Sequence, residues 1–340
     1  MIPRMLSIKA FGRRGLGLSG LLGPVTVWMA FGLVPAAGWA QNYPAKPVKL
    51  LVGFAPGGAA DTVARALSDA MAKHLGQSIV VENKPGAGSS VAAELAAKSP
   101  ADGYTVLIAS PSSISVNPAL NPKIGYRFSD LQPILKITAS PLVVAAHPGT
   151  GWRSLKDLMA AARKAPGTIN YATSGIGSAP HLGAALFSQV AGVELFHVPF
   201  RGGAPAVQSV IAGDTQVTFG TPPSVLELVR AGRLRGLGVT TAQRSPLMPE
   251  LPGMEEAGLP QFTIDFWYGL FVPAGTPAEV SRKLFEAATQ AMKQTSVQQV
   301  LAREGTDVSL SPSTEHFVAF LAKDNAFWAK LVKDAGVTRD

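Results

Sequence analysis

Three glycine-containing turns carry residue types that could bind a small anion. They are Phe54-Ala55-Pro56-Gly57-Gly58 with Asp61 close behind, Thr173-Ser174-Gly175-Ile176-Gly177-Ser178 with His181, and Phe200-Arg201-Gly202. Each turn follows an apolar run typical of a strand and precedes a helical pattern. Glycine lets the backbone approach a bound group closely, and the following helix directs free N–H groups and its positive dipole end at the turn. The pattern predicts a small carboxylate held by backbone amides and hydroxyls.

Each of these residues also has an ordinary structural interpretation. Glycine after a strand permits a tight connection in any α/β protein, although three such turns favour a site at the carboxyl ends of strands. Asp61 either favours the helix dipole or faces the ligand, where it could receive an ammonium group or order a water. Arg201 is either solvated or a bidentate carboxylate binder, and His181 packs or caps its helix. Phe54 and Phe200 form the edge of the core or wall an apolar part of the ligand.

The turns belong to a chain in which strand patterns and helix patterns alternate. Strands are predicted at 48–54, 79–81, 104–109, 142–146, 169–172, 195–199, 217–219, 237–240 and 266–272. Ser110 directly follows one of these strands and is included among the candidate ligand-binding residues. Alternation of this kind predicts an α/β protein with mostly parallel sheets covered by helices.

Composition and charge exclude several classes of protein. A chain of 340 residues, 47% hydrophobic and 15% charged, has room for two domains and is too apolar to be disordered. It has no cysteine, which excludes disulfides, thiol nucleophiles and Cys–zinc sites. Four basic residues and no acidic one lie in 1–40, so the rest of the chain has 26 basic and 22 acidic residues. These charges are scattered, and no nucleic-acid partner is expected.

Residues 1–40 have the pattern of a secretory signal peptide. A basic start with Arg13-Arg14 precedes an apolar run from Leu16 to about Trp39, and the segment ends in Gly38-Trp39-Ala40. This small-x-small ending predicts cleavage after Ala40 and export of a soluble protein, with a retained membrane anchor as the alternative. The arginine pair leaves two export routes open, the general secretory (Sec) route and the twin-arginine route.

The sequence lacks the motifs of common catalytic sites. The run Gly86-Ala87-Gly88-Ser89-Ser90-Val91 lacks the third glycine of the dinucleotide fingerprint, and no Walker lysine follows a glycine loop. Ser174 and Ser178 do not lie in a Gly-x-Ser-x-Gly elbow, and the five histidines are not spaced as metal ligands. No metal or cofactor is expected. A hydrolase that uses Ser174 or Ser178 is the alternative, since His181 and His197 could lie near Ser174 in the fold.

Seven segments, spread over nearly the whole chain after residue 40, match one family in their order and coverage. They are Tyr43-Pro44-Ala45-Lys46-Pro47, Phe54 to Gly58 with Asp61 and Ala64-Arg65, Val81-Glu82-Asn83-Lys84-Pro85-Gly86-Ala87-Gly88, Ala101-Asp102-Gly103-Tyr104-Thr105, Ser174 to Ser178 with His181, His197-Val198-Pro199-Phe200 with Gly202, and Pro273-Ala274-Gly275-Thr276-Pro277. In these segments the chain resembles the Bug family of extracytoplasmic solute receptors, the periplasmic binding components of tripartite tricarboxylate transporters.

The resemblance implies a two-domain periplasmic-binding-protein (Venus flytrap) fold with the ligand cleft between the domains. By analogy the two interdomain crossings fall near Ser140-Pro141 and Asp265-Phe266, so that domain 1 comprises 41–140 plus 265–340 and domain 2 comprises 141–264. The implied protein is a monomeric receptor and not an enzyme. Its ligand would be a small organic anion (a di- or tricarboxylate, an acidic amino acid or an aromatic carboxylate), delivered to a large and a small integral-membrane subunit.

The resemblance also places the ligand carboxylate between the first turn, 54–61, and the second turn, 173–178, on opposite sides of the cleft. Three residues depart from the usual pattern, because Phe200 stands where Tyr is usual and Arg201 and Ser89 replace the commoner Lys and Gly. These departures could change which ligand the site prefers without changing how the ligand carboxylate is held. A receptor whose loaded form contacts a signalling partner instead of a transporter is a further alternative.

Overall fold

The computed structural model describes residues 43–121 and 123–334, so the predicted signal peptide at 1–40 lies outside the described residues. In chain order the strands are β1 (Val48–Val52), β2 (Ile79–Asn83), β3 (Thr105–Ala109), β4 (Leu131–Pro141), β5 (Val143–Ala146), β6 (Asn170–Thr173), β7 (Phe196–Pro199), β8 (Val217–Gly220), β9 (Arg235–Val239), β10 (Asp265–Pro273) and β11 (Asp307–Val308). The α-helices are α1 (Ala59–Leu75), α2 (Ser90–Ala97), α3 (Asn117–Leu120), α4 (Leu155–Lys164), α5 (Ala179–Ala191), α6 (Gly203–Ala212), α7 (Pro222–Arg230), α8 (Met254–Ala257), α9 (Ala278–Met292), α10 (Thr295–Arg303) and α11 (Thr314–Asp334). Among the described residues, no helix combines the length and the apolar character that a membrane span needs.

The strands form two sheets, each the centre of one lobe. The strand order is β11-β4-β10-β3-β1-β2 in the first sheet and β7-β6-β8-β5-β9 in the second. We call the parts built on these sheets the first lobe (43–141 and 265–334) and the second lobe (142–264).

Both sheets are mixed, so the expectation of mostly parallel sheets was wrong. β1 is parallel to β2 and β3, and β6 is parallel to β7 and β8. In contrast, β10 runs antiparallel to β3 and β4, β11 runs antiparallel to β4, and β5 runs antiparallel to β8 and β9. The reason is that β4, β10 and β5, the strands at the crossings between the lobes, run against their neighbours.

The chain passes between the lobes at two adjacent points. β4 ends at Pro141 in the first sheet, and the next strand, β5, already belongs to the second sheet. The chain returns at Asp265, the first residue of β10, which pairs with Pro141. The buried Thr240 hydroxyl joins the two connections, because it accepts a hydrogen bond from Leu142 N and donates one to the Ile264 carbonyl, each at 2.7 Å. Two short, adjacent connections of this kind can act as a hinge.

Packed apolar faces hold the elements that end at the turns. The buried residues of α1 recur at helical spacing and include Leu67, and the helix ends at Gly76 in the left-handed conformation, as its sequence predicts. In the second lobe, Phe187, Phe219 and Phe262 pack with ring centroids 5.2 to 5.9 Å apart. The turns at the ends of β1 and β6 are therefore anchored on packed scaffolds.

Candidate ligand-binding site

The three turns predicted from the sequence meet in the space between the lobes. The first turn (53–58) joins β1 to α1, the second turn (174–178) joins β6 to α5, and the third turn (200–202) joins β7 to α6. Three cavities lie there: an inner cavity of about 30 Å³, an outer cavity of about 190 Å³, and a third of about 230 Å³ between Gly57 and the helices α6 and α7. Phe54 and Ser174 line both the inner and the outer cavity and form the wall that these two share.

The beginnings of four helices surround the inner cavity. Its lining residues are Phe54, Gly58, Ala59, Ala60, Phe266 and Tyr268 from the first lobe, and Ser174, Ala179, Pro180, Gly203, Ala206, Val207, Thr218, Gly220, Thr221 and Ser224 from the second. They include residues at the beginnings of α1, α5, α6 and α7. The residues that cap these helices, Gly58, Ser178, Gly202 and Thr221, make no side-chain capping hydrogen bond.

This arrangement makes the inner cavity electropositive without a charged side chain in its lining. Each helix N-terminus carries a partial charge of up to about +0.5. The buried Asp61 carboxylate in the first turn of α1, which is paired with Arg65, offsets part of this charge, and the four helix ends together leave the cavity electropositive. α7 begins with Pro222-Pro223, which have no N–H groups. The Thr221 and Ser224 hydroxyls at that end lie 3.2 Å apart and bond to each other, so one of the two O–H groups is left to donate to a ligand. The cavity can therefore hold a carboxylate through neutral donors and helix dipoles.

Some inner-cavity residues were missed by sequence reasoning. Tyr268 lies in the apolar strand β10, whose pattern indicates only core, yet it lines the cavity. Its hydroxyl has no hydrogen-bond partner among the described residues, and burial raises its pKa, so it stays protonated and can donate to a ligand. Thr221 lies between β8 and α7. The sequence could have pointed to it, because it repeats the strand–turn–helix arrangement of the three predicted turns.

Asp61 holds the first turn in place and lines none of the three cavities. One carboxylate oxygen accepts hydrogen bonds from Gly57 N at 3.0 Å and Arg65 Nε at 2.9 Å, and the other accepts from Asn83 Nδ2 at 3.0 Å. Asn83 Nδ2 also donates to the Phe54 carbonyl at 3.0 Å. Burial raises the pKa of Asp61, but the hydrogen bonds from Arg65, Gly57 and Asn83 outweigh this and lower it overall. Asp61 therefore has a structural role in holding the first turn, and contact between Asp61 and a ligand stays a prediction.

Two uncharged histidines hold the second turn. Gly177 N donates to His181 Nδ1 at 3.0 Å, and Thr173 Oγ1 lies 2.6 Å from His197 Nε2. The two imidazole rings stack with centroids 4.1 Å apart. Burial, with a smaller contribution from His197, lowers the pKa of His181 to about 3, and burial lowers the pKa of His197 to about 4. Both rings are therefore neutral near pH 7 and serve as hydrogen-bond partners of the turn.

The outer cavity lies where a turn of the first lobe, residues 86–89, approaches the second turn. Its lining residues are Gly53, Phe54, Gly86, Ala87, Gly88, Ser89, Ser174, Gly175, Ile176, Pro199, Phe200 and Arg201. This lining contains the three positions at which the chain departs from the family pattern. A Cβ placed on Gly88 would lie only 2.4 Å from the Ile176 carbonyl oxygen, so the two lobes are in close backbone contact here.

Asn117, which sequence reasoning did not single out, positions the 86–89 turn. Its side-chain Nδ2 donates to the carbonyls of Ala87 at 3.1 Å and Gly88 at 2.6 Å. A Cβ placed on Gly177 would lie only 2.3 Å from Asn117 Oδ1, so the same amide also faces the second lobe. The residues before it, Ser112–Val116, form a π-helix, a conformation that occurs frequently at functional sites.

The structure brings some predicted residues to the inner and outer cavities and leaves others behind them. Those that line one or both of these two cavities are Phe54, Gly58, Ser174, Gly175, Ile176, Phe200 and Arg201. Those that line neither of the two are Ala55, Pro56, Gly57, Asp61, Ser110, Thr173, Gly177, Ser178, His181 and Gly202. The buried hydroxyls of Ser110 and Ser178 have no hydrogen-bond partner among the described residues. Within the same part of the chain, no group of three or more His, Cys, Asp or Glu side chains could hold a metal ion.

A two-lobed α/β fold with a cavity between the lobes defines the class of periplasmic solute-binding proteins, and this chain has that fold. Residues 63–337 match the model of the tripartite tricarboxylate transporter family receptor. The chain therefore belongs to this family of solute-binding receptors, as its resemblance to the Bug proteins predicted.

Three similar proteins illustrate how far the likeness extends. Over 324 residues the chain is 33% identical to Protein BugT of Bordetella pertussis (strain Tohama I), covering 94% of this chain and 99% of BugT. The structure of R. palustris Rpa4515 with adipate is 32% identical, with a TM-score of 0.84 over 87% of this chain and 99% of that chain. MatC from Rhodopseudomonas palustris with bound malate is 30% identical, with a TM-score of 0.81 over 85% of this chain and 100% of that chain. These likenesses confirm the predicted two-domain fold.

Proposed function

We propose that the protein binds a small organic carboxylate between its lobes and delivers it to the membrane subunits of a tripartite transporter. The observation that carries this proposal is the convergence of four uncapped helix N-termini on a cavity whose lining contains no charged side chain. Positive helix ends attract an anion, and neutral walls do not compete for it. The relatives Rpa4515 and MatC were solved with adipate and malate, both of which are carboxylates.

Ligand binding would couple to closure of the lobes. The inner cavity, at about 30 Å³, has room for about two waters, so it fits a carboxylate head while the rest of a ligand lies outside it, and separation of the lobes would admit such a ligand. The proposed domains are 41–140 plus 265–340 and 141–264, and the hinge is the pair of crossings joined by Thr240. A ligand that contacts both the first and the second turn stabilises only the closed form.

The proposed binding residues are those at 54–58, 173–178 and 200–202, together with Asp61, Ser110 and His181. Some would contact the ligand directly, and others would hold the backbone that does. We place the receptor in the periplasm as a monomer, after cleavage behind Ala40 of the predicted signal peptide. Its partners there would be one large and one small integral-membrane subunit. Membership in the receptor family supports this placement.

The geometry argues against hydrolysis by Ser174 or Ser178. A serine nucleophile needs a histidine within hydrogen-bond distance to accept its proton. Here His181 Nδ1 accepts a hydrogen bond from Gly177 N, and His197 Nε2 pairs with the Thr173 hydroxyl. These two ring nitrogens therefore bond to the second turn and not to Ser174 or Ser178. The low pKa values of both rings also make them weak proton acceptors.

Isothermal titration calorimetry on the purified protein tests the proposed function. The panel would contain dicarboxylates, tricarboxylates, amino acids and aromatic acids, each beside its uncharged amide as a control for shape. We expect at least one acid to bind while its amide does not, because the site responds to negative charge. Failure of every anion, together with binding of a sugar or a cation, would contradict the proposal. Capture of the membrane subunits with and without ligand would separate transport from signalling.

A further inference from the structure

Resting on the function proposed above, we infer that the ligand is a dicarboxylate whose second carboxylate binds the Arg201 guanidinium in the outer cavity. The first carboxylate would occupy the inner cavity, among the helix N-termini. Arg201 would thereby select a diacid over a monoacid of the same length.

The distribution of charge around the two cavities supports this division. The inner cavity is lined by neutral residues only, whereas the lining of the outer cavity contains one charged residue, Arg201. Neither lining contains Asp or Glu that could neutralise it. The Arg201 side chain is exposed and makes no hydrogen bond or ion pair with a described residue, so all five of its N–H donors are free.

The sizes and the shared wall of the cavities fit one elongated molecule. The inner cavity, at about 30 Å³, is much smaller than the outer cavity, at about 190 Å³. Phe54 and Ser174 line both, so a ligand whose head lies in the inner cavity can extend past these residues into the outer one. The third cavity also adjoins the inner one, but the acidic Glu227 in its lining disfavours a second carboxylate there. The apolar ring of Phe54 suits the methylene chain between two carboxylates.

The backbone of the third turn fixes where the Arg201 side chain begins. Phe200 N donates to the Thr173 carbonyl at 2.9 Å, which ties the third turn to the second. A Cβ on Gly202 would lie 2.8 Å from the Ala55 Cβ, so the third turn also abuts the first turn of the other lobe. Arg201 is therefore held between two contacts, and its planar guanidinium can bind a carboxylate through two parallel hydrogen bonds.

A thermodynamic cycle tests the inference, with adipate and monomethyl adipate as probes and calorimetric affinity as the readout. We expect the unmodified protein to prefer adipate by roughly five- to tenfold, between the upper value for an exposed ion pair and the lower value for a hydrogen bond to a charged group. Arg201→Gln should remove this preference, because it should lower the affinity for adipate more than the affinity for the monoester. The matched control is Arg233→Gln, because Arg233 is an exposed arginine of the same lobe that lines neither cavity. The Arg233→Gln variant loses the same charge and should keep the preference for adipate over its monoester.

Each result separates this inference from the function on which it rests. Equal affinity of the unmodified protein for the two probes would overturn the role of Arg201, as would an equal loss for both probes in Arg201→Gln. Loss of the preference in Arg233→Gln as well would show a general effect of net charge and also overturn it. If neither probe nor any other carboxylate binds, the proposed function itself fails. Glutarate and pimelate with their monoesters extend the cycle to neighbouring chain lengths.

Discussion

Replacing Gly88 by alanine places a methyl group between the two lobes. Gly88 has φ +60°, and its new Cβ would lie 2.4 Å from the Ile176 carbonyl oxygen across the cleft and 2.9 Å from Asn117 Nδ2 within the first lobe. The carbonyl belongs to the backbone of the second turn and cannot rotate away as a side chain could. The lobes can therefore close fully only if this turn or the 86–89 turn moves.

The expected cost has two parts, and only one of them depends on closure. In either the open or the closed form, the left-handed backbone conformation costs about 1–2 kcal/mol for alanine, and the close approach to Asn117 Nδ2 within the first lobe adds to this cost. The overlap with Ile176 exists only in the closed form, and overpacking of this kind costs about 1–3 kcal/mol. Because binding requires closure, the second part lowers ligand affinity by about 5- to 150-fold.

Gly192→Ala is the matched control for this substitution. Gly192 has φ +61°, nearly the same backbone conformation, and no atom within 4 Å of its would-be Cβ. Calorimetry should show reduced affinity for Gly88→Ala and normal affinity for Gly192→Ala. The ligand-free Gly88→Ala protein should lose somewhat more thermal stability than Gly192→Ala, because only its Cβ approaches Asn117. Equal affinity of the two variants would refute the reasoning that close contact at Gly88 is part of the bound state. A much larger stability loss in Gly88→Ala would assign the effect to Asn117 instead.

Three further outcomes are expected from the site. Asp61→Asn should destabilise the ligand-free protein by about 1–3 kcal/mol and weaken succinate and aspartate equally; selective loss of aspartate would show that Asp61 contacts the ligand. Folding lowers the pKa values of His181 and His197, so the unfolded chain binds protons that the folded protein does not. As the pH decreases from about 6.5 to about 4, the free energy of unfolding should therefore decrease by roughly 1 kcal/mol per pH unit for each ring, and His197→Gln should reduce this slope. Tyr268→Phe should lower ligand affinity several-fold at unchanged melting temperature, and unchanged affinity would remove its hydroxyl from the site.

The anion-binding turns could be predicted because their signals are local. The glycines at 57 and 58 and at 175 and 177 lie in short turns between an apolar strand and a helix, and the structure has both connections. The two-domain fold followed from the family resemblance and is confirmed. Asp61 had two open interpretations because sequence shows its place in the first helical turn but not its three hydrogen-bond donors.

Features built from distant parts of the chain could not be predicted in the same way. β4 contains Pro133 and Pro141, which count against a strand, and its partner β10 lies more than a hundred residues away. The register of this pair shifts between Leu270 and Phe271, where Pro133 is accommodated. Asn117 likewise donates hydrogen bonds to carbonyls about thirty residues earlier in the chain, and no local sequence pattern predicts a contact over that separation.

The most direct test of the account is a crystal structure of the protein with adipate bound. The account predicts one carboxylate between the lobes, within hydrogen-bond distance of main-chain N–H groups at the start of α1 and in the second turn. Adipate bound outside the space between the lobes, or with both carboxylates in contact with solvent alone, would contradict it.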